Sequence, residues 1–212
     1  MTSPLVEVAS YYSQKLAEHG QTARGVDWNG EESQTLRFEQ LTRLIDGQKA
    51  FSLQDGFSVN DLGCGYGAML DYLGERFDRL HYFGQDISAD MVAAAKRRFT
   101  DRKTVCFQQT DRPPQTADFG FASGIFNVRL STDNAAWRDY IETTLDVMNE
   151  TSRHGFAFNC LTSYSDADRM RGNLYYASPG AMFDLCKSKY SRNVALLHDY
   201  DLYEFTILVR KS

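Results

Sequence analysis

FSVNDLGCGYG (Phe57–Gly67) carries a short apolar run straight into three glycines spaced two apart. Phe57–Gly63 reads as a buried strand. The following segment, Ala68–Phe77, sets Leu70, Leu73 and Phe77 on one helical face. Glycines between a strand and a helix permit positive φ and let the backbone approach a ligand closely. The helix N-terminus then offers unpaired N–H groups and the positive end of a dipole. The glycines alone leave two ligands open, because Gly63-x-Gly65-x-x-Ala68 also fits the dinucleotide-binding fingerprint. Asp61 and Gly67 separate the readings. A carboxylate at the strand end repels a pyrophosphate and suits a cationic group, such as the amino group of an amino acid.

Outward from this turn, strand and helix signals alternate. Strands are expected at His81–Ile87, Thr104–Thr110, Ala117–Phe126 and Gly155–Leu161. Helices are expected at Glu32–Ile45, after a Ser88 cap, at Ala135–Met148 and near Pro179–Lys189. Such alternation implies an α/β fold with a doubly wound, mostly parallel sheet. NVALLHDY and YEFTILVRK close the chain as two β-rich runs, and their short connection forces an antiparallel pair. Residues 1–50 are expected to form a helical N-terminal cap, and 51–212 the main domain.

The bulk numbers exclude several classes. The 212 residues are 42% apolar and carry a net charge of -5. That balance disfavours a nucleic-acid partner, which calls for a basic surplus. Lys96, Arg97 and Arg98 read as a solvated helix C-terminus. Cys64, Cys106, Cys160 and Cys186 show no CxxC spacing, so no metal site is expected. Scattered cysteines without a signal-peptide pattern suggest the cytoplasm. No apolar run reaches membrane-spanning length, so no membrane partner is expected.

DLGCGYG (Asp61–Gly67) is similar to the first motif of the class I S-adenosylmethionine (SAM)-dependent methyltransferases. RGVDWNGEESQTLRFEQL (Arg24–Leu41) resembles the entry helix of a poorly described bacterial group among them. The likeness runs from about Val59 to the C-terminus. It implies a Rossmann-like sheet of seven strands with the last antiparallel, as the final hairpin suggests. It also implies SAM as cofactor, S-adenosylhomocysteine (SAH) as product, and methyl transfer to an oxygen or nitrogen of a small molecule. RNA or protein methylation and non-catalytic SAM binding are the alternatives. The absence of an NPPY-type motif counts against base methylation. A monomer or a homodimer is expected.

Residue by residue, the resemblance assigns Asp61, Gly63, Gly65, Tyr66 and Gly67 to the cofactor. Asp86, 23 positions after Gly63, takes the ribose hydroxyls, and Ile87 packs on the adenine. Asp111 accepts from the adenine amino group, or else is a turn residue. Ser123 and Gly124 lie beneath the methionine portion, and Asn127 faces the substrate. Gln34 and Arg37 reach the SAM carboxylate, or else form a solvated helix face. Trp28 reads as a core anchor. His198, Asn127 and Tyr176 are the weak catalytic candidates, with Asp199 and His154 as further possible bases. The loop YSDADRMRGNLYY (Tyr164–Tyr176) rims the expected pocket. Its Arg169, Arg171, Asn173, Tyr175 and Tyr176 suit a carboxylated, phosphorylated or sugar-like substrate, or simply an exposed loop.

Overall fold

The computed structural model describes residues 3–46 and 55–211. Its elements run α1 (Ser3–His19), a short 3-10 turn (Ala23–Val26), α2 (Glu31–Asp46), β1 (Phe57–Leu62), α3 (Ala68–Arg76), β2 (Leu80–Asp86), α4 (Ala89–Arg98), β3 (Val105–Gln109), β4 (Ala117–Ala122), α5 (Asn134–Glu150), β5 (Ser152–Leu161), α6 (Pro179–Lys189), β6 (Asn193–Leu197) and β7 (Glu204–Arg210). They build one sheet in the order β3-β2-β1-β4-β5-β7-β6. Strands β1 to β5 pair in parallel, and β7 runs antiparallel to both β5 and β6. The expected hairpin is therefore present, with its second strand inserted beside β5.

The period-two pattern of the strands explains the two cores. Phe119, Phe121, Ala157 and Leu208 face α2, α3 and α4, packing on Leu41, Leu44, Leu70, Leu73 and Val92. Ala122, Phe156, Phe158, Ile207 and Val209 face the other way, onto Val8, Trp137, Ile141, Leu145 and Met182. Helix α2 is thus part of the sandwich itself: it packs against β5 and β7, while α1 lies on α4 and the 3-10 turn. The division expected near residues 50 and 51 lies outside the described residues.

Local chemistry sets the helix starts. Ser88, Asp133 and Ser178 each accept an N–H of the first turn through a side-chain oxygen, and Pro179 follows Ser178. One expected strand is shorter than its sequence suggested. β4 stops at Ala122, because Gly124 adopts a left-handed φ of 77° and turns the chain out of the sheet. Arg98 does more than solvate a helix end. It donates to the Tyr66 carbonyl at 2.9 Å and pairs with Asp71, tying α4 to the glycine turn.

The strand order reverses between β1 and β4. Crossovers leave these strands toward opposite faces, so a crevice opens at their C-terminal ends. The glycine turn after β1 and the Gly124 turn after β4 both sit there.

Candidate active site

Three glycines shape the turn after β1, all at positive φ: 77° at Gly63, 54° at Gly65 and 88° at Gly67. The Gly63 and Cys64 N–H groups both donate to the Gln85 carbonyl, at 2.7 and 3.0 Å, which staples the turn to the end of β2. A Cβ on Gly63 would lie 2.1 Å from Ile125 Cγ2. A Cβ on Gly67 would meet Phe99 instead, at 2.7 Å, so that glycine serves packing at the start of α3.

Two carboxylates flank the turn. Asp86 accepts from the Gly65 N–H through Oδ2 and from the Ser88 N–H through Oδ1, both at 2.8 Å. Asp61 accepts a short hydrogen bond from the Tyr82 hydroxyl. Burial raises both acids, Asp61 to about 7 and Asp86 to about 6. The Asp86 charge adds to the rise at Asp61, and the donated hydrogen bonds oppose it at both residues.

A first cavity of about 890 Å³, counting its open mouth, lies over this turn. Its lining includes Asp61, Gly63, Gly65, Tyr66, Asp86, Ile87, Asp111, Ser123, Gly124 and Gln34, all singled out in the sequence. Ile87, Met91 and Tyr140 give it an apolar side. The Ser123 hydroxyl is buried without a hydrogen-bond partner. Tyr66 donates to Gln34 Oε1 at 3.5 Å.

Arg37 and Gly67 are absent from that lining. Against the expectation that it reaches the cofactor, the Arg37 guanidinium is consumed elsewhere. It pairs with Glu204 through Nε and Nη2, at 2.8 and 2.7 Å, and donates from Nη1 to the Ser33 carbonyl. It also lies 3.8 Å from the centre of the Trp28 ring. Asn159 extends the network, donating to Glu204 at 2.6 Å and accepting the Gly124 N–H at 2.7 Å. Trp28 completes the circuit: a Cβ on Gly124 would sit 2.3 Å from its indole. Trp28 is half-buried and stands outside the hydrophobic cores, so it is a cavity wall and not the core anchor expected. Glu204 and Asn159 escaped the sequence reading.

A second cavity of about 480 Å³, again counting its open mouth, adjoins the first and shares Tyr12, Val26, Trp28 and Gly124 with it. Asn127 lines it, its Oδ1 held by the Leu161 N–H at 3.0 Å and its Nδ2 buried without a partner. His198, Asp199, His154 and Tyr176 line neither cavity. The His198 ring faces Tyr164 and Phe205, and the Tyr176 hydroxyl accepts the Arg171 N–H at 2.9 Å.

A family model described as a methyltransferase domain matches residues 60–154, which span both turns. Rv1506c of Mycobacterium tuberculosis, provisionally named a methyltransferase, is 60% identical over 158 residues, covering 74% of this chain and 95% of that relative. This chain belongs to the class I SAM-dependent methyltransferases. Solved methyltransferase structures share the fold. The DhpI-SAM-HEP complex aligns over 100% of both chains, with 17% identity and a TM-score of 0.67. The N-methyltransferase NodS from Bradyrhizobium japonicum, in complex with SAH, aligns over 96% of this chain and 97% of its own, with 16% identity and a TM-score of 0.63. Among the described residues of this methyltransferase, no cluster of three His, Cys, Asp or Glu is placed to hold a metal. No helix among them is long and apolar enough to cross a membrane.

Proposed function

We propose that this methyltransferase holds SAM in the first cavity and transfers its methyl group to an oxygen or nitrogen of a small molecule entering from the second. One observation carries the reading: the glycine turn, Asp61 and Asp86 converge on one cavity at the reversal of strand order. The residues suit the group. Each Asp86 oxygen accepts one backbone N–H and keeps lone-pair capacity for a ribose hydroxyl. Asp61 is the acid for the cofactor's ammonium. Ile87, Met91 and Tyr140 offer the apolar surface an adenine needs, with Asp111 at the exposed rim. The orphaned Ser123 hydroxyl supplies a donor beside Gly124.

Bound SAM supplies a methyl activated by a sulfonium. The chain's task is then to align the acceptor with that methyl and keep water out. Tyr12, Val26, Trp28 and Gly124, common to both cavities, would line the passage between cofactor and acceptor. None of the four histidines lines either cavity, so alignment and desolvation, and no histidine base, carry the rate. The second cavity is a concave pocket adjoining the first, the shape that receives a small molecule beside the cofactor. The net charge of -5 fits that choice better than a nucleic acid.

Calorimetry with SAH is the test. One-to-one binding is expected. Asp86→Ala removes two charge-assisted hydrogen bonds of about 1.5 kcal/mol each, so affinity should fall about 100-fold. Absence of SAH binding to the unaltered chain would overturn the reading.

A further inference from the structure

The second cavity has an uneven balance of charge. Asp27, Arg37, Arg171 and Glu204 are the charged side chains on its wall. Arg37 and Glu204 neutralise one another in a bidentate pair. Asp27 is met by Lys15 at 3.0 Å and by the Tyr11 hydroxyl at 2.7 Å. Arg171 is left over: among the described residues its guanidinium makes no ion pair.

Its loop is nevertheless held in place. Arg129 donates from its side chain to the carbonyls of Gly172 and Leu174. The Arg129 and Leu130 N–H groups both donate to the Asn173 carbonyl, at 3.1 and 3.0 Å. The Arg171 N–H itself is fixed by Tyr176.

A second observation points the same way. Asn127 is 5% exposed, and the Leu161 N–H fixes which end of its amide is which. Its Nδ2 is therefore a buried donor without a partner, on a residue that lines the same cavity. Leaving such a donor unpaired is costly unless a ligand completes it. An orphaned donor within and an unpaired cation at the exposed edge both call for acceptor atoms, and at least one of them charged. Val26, Val128, Leu161 and Leu174 add apolar patches to the same wall, beside Asn29.

We infer that the methyl acceptor is a small acid, a carboxylate or a phosphate on an apolar body, whose acidic group pairs with Arg171 and whose further polar atom takes the Asn127 Nδ2 donor. This rests on the reading of the first cavity as the SAM site and adds the chemical class of the acceptor.

Titration of the SAH-loaded protein with benzoate, phenyl phosphate and neutral benzamide, followed by NMR, tests it. At low salt at least one acid should bind about five- to tenfold more tightly than benzamide, and added salt should shrink the gap. The tighter acid tells carboxylate from phosphate. Arg171→Gln should remove the preference. Arg169→Gln, in the same loop but on neither cavity and stacked on Tyr203, should keep it. SAH affinity, measured on each variant, separates the two readings. If SAH binds and no acid outbinds benzamide, or if Arg171→Gln keeps the preference, the acidic acceptor is refuted while the SAM site stands. If SAH does not bind, both fall.

Discussion

Removing the Glu204 carboxylate strips three hydrogen bonds at once from a site with almost no access to water. Arg37 is 5% exposed and Glu204 2%. Glu204→Ala leaves the Arg37 guanidinium with the Ser33 carbonyl alone, and leaves the Asn159 amide without its acceptor. Breaking a buried pair from one side costs about 3–5 kcal/mol, because the surviving charge stays desolvated. For a chain of this size that corresponds to a fall of roughly 6–20 °C in Tm, a large share of a total stability of about 5–15 kcal/mol. Urea denaturation of Glu204→Ala, Arg37→Met and the double variant Arg37→Met with Glu204→Leu measures the effect. The double variant should be far less damaged than the sum of its parts, since no unpaired charge remains. A single-variant cost below about 1 kcal/mol, or costs that add to within about 0.5 kcal/mol, would refute the assignment of a coupled buried pair.

Other consequences follow from the first cavity. Asp61 and Asp86 sit at about 7 and about 6, above the ordinary 3.8, so the folded chain binds their protons more tightly than the unfolded chain does. Their contribution to the stability of the free protein is full below about pH 4 and is lost as pH rises through 6 to 7, which thermal melts across that range will register. SAH affinity should move the opposite way, rising from pH 5 to 8, because ribose hydroxyls and an ammonium favour the ionised acids; calorimetry on Asp86→Asn should show the rise flattened. Gly63→Ala places a Cβ 2.1 Å from Ile125 at a φ of 77°, and should cost about 1–3 kcal/mol in denaturant melts while weakening SAH binding by more than tenfold. His198→Ala, at an exposed position on neither cavity, should leave kcat/KM within about twofold once an acceptor is in hand.

The sheet and the glycine turn were legible because their signals are local. Phe57–Gly63 announces strand and turn within seven residues, and the final hairpin declares its direction by its short connection. The limits of β4 were harder to read: the apolar run continues through Phe126, and Gly124 alone marks where the backbone leaves the sheet. Arg37 is the instructive case. It shares the helical stripe of Leu41 and Leu44, so its burial was written in the spacing. Its partner lies 167 positions away, and no local pattern links the two. Glu204 did leave a trace, as an acid opening the otherwise apolar run EFTILV, but a strand-end acid reads as solvent-facing until β7 is inserted beside β5. The empty Nδ2 of Asn127 depends on which atoms surround it, which only the assembled fold decides.

The Trp28 indole lies between Gly124 and the Arg37 guanidinium and forms part of both cavities. A ligand that pushes on one side of the ring alters what the other side presents. On the proposed assignment the two binding equilibria share one wall, and the cofactor and the acceptor are expected to act as effectors of each other. Whatever factor SAM imparts to acceptor affinity, the acceptor must return to SAM, since linkage between two sites is reciprocal.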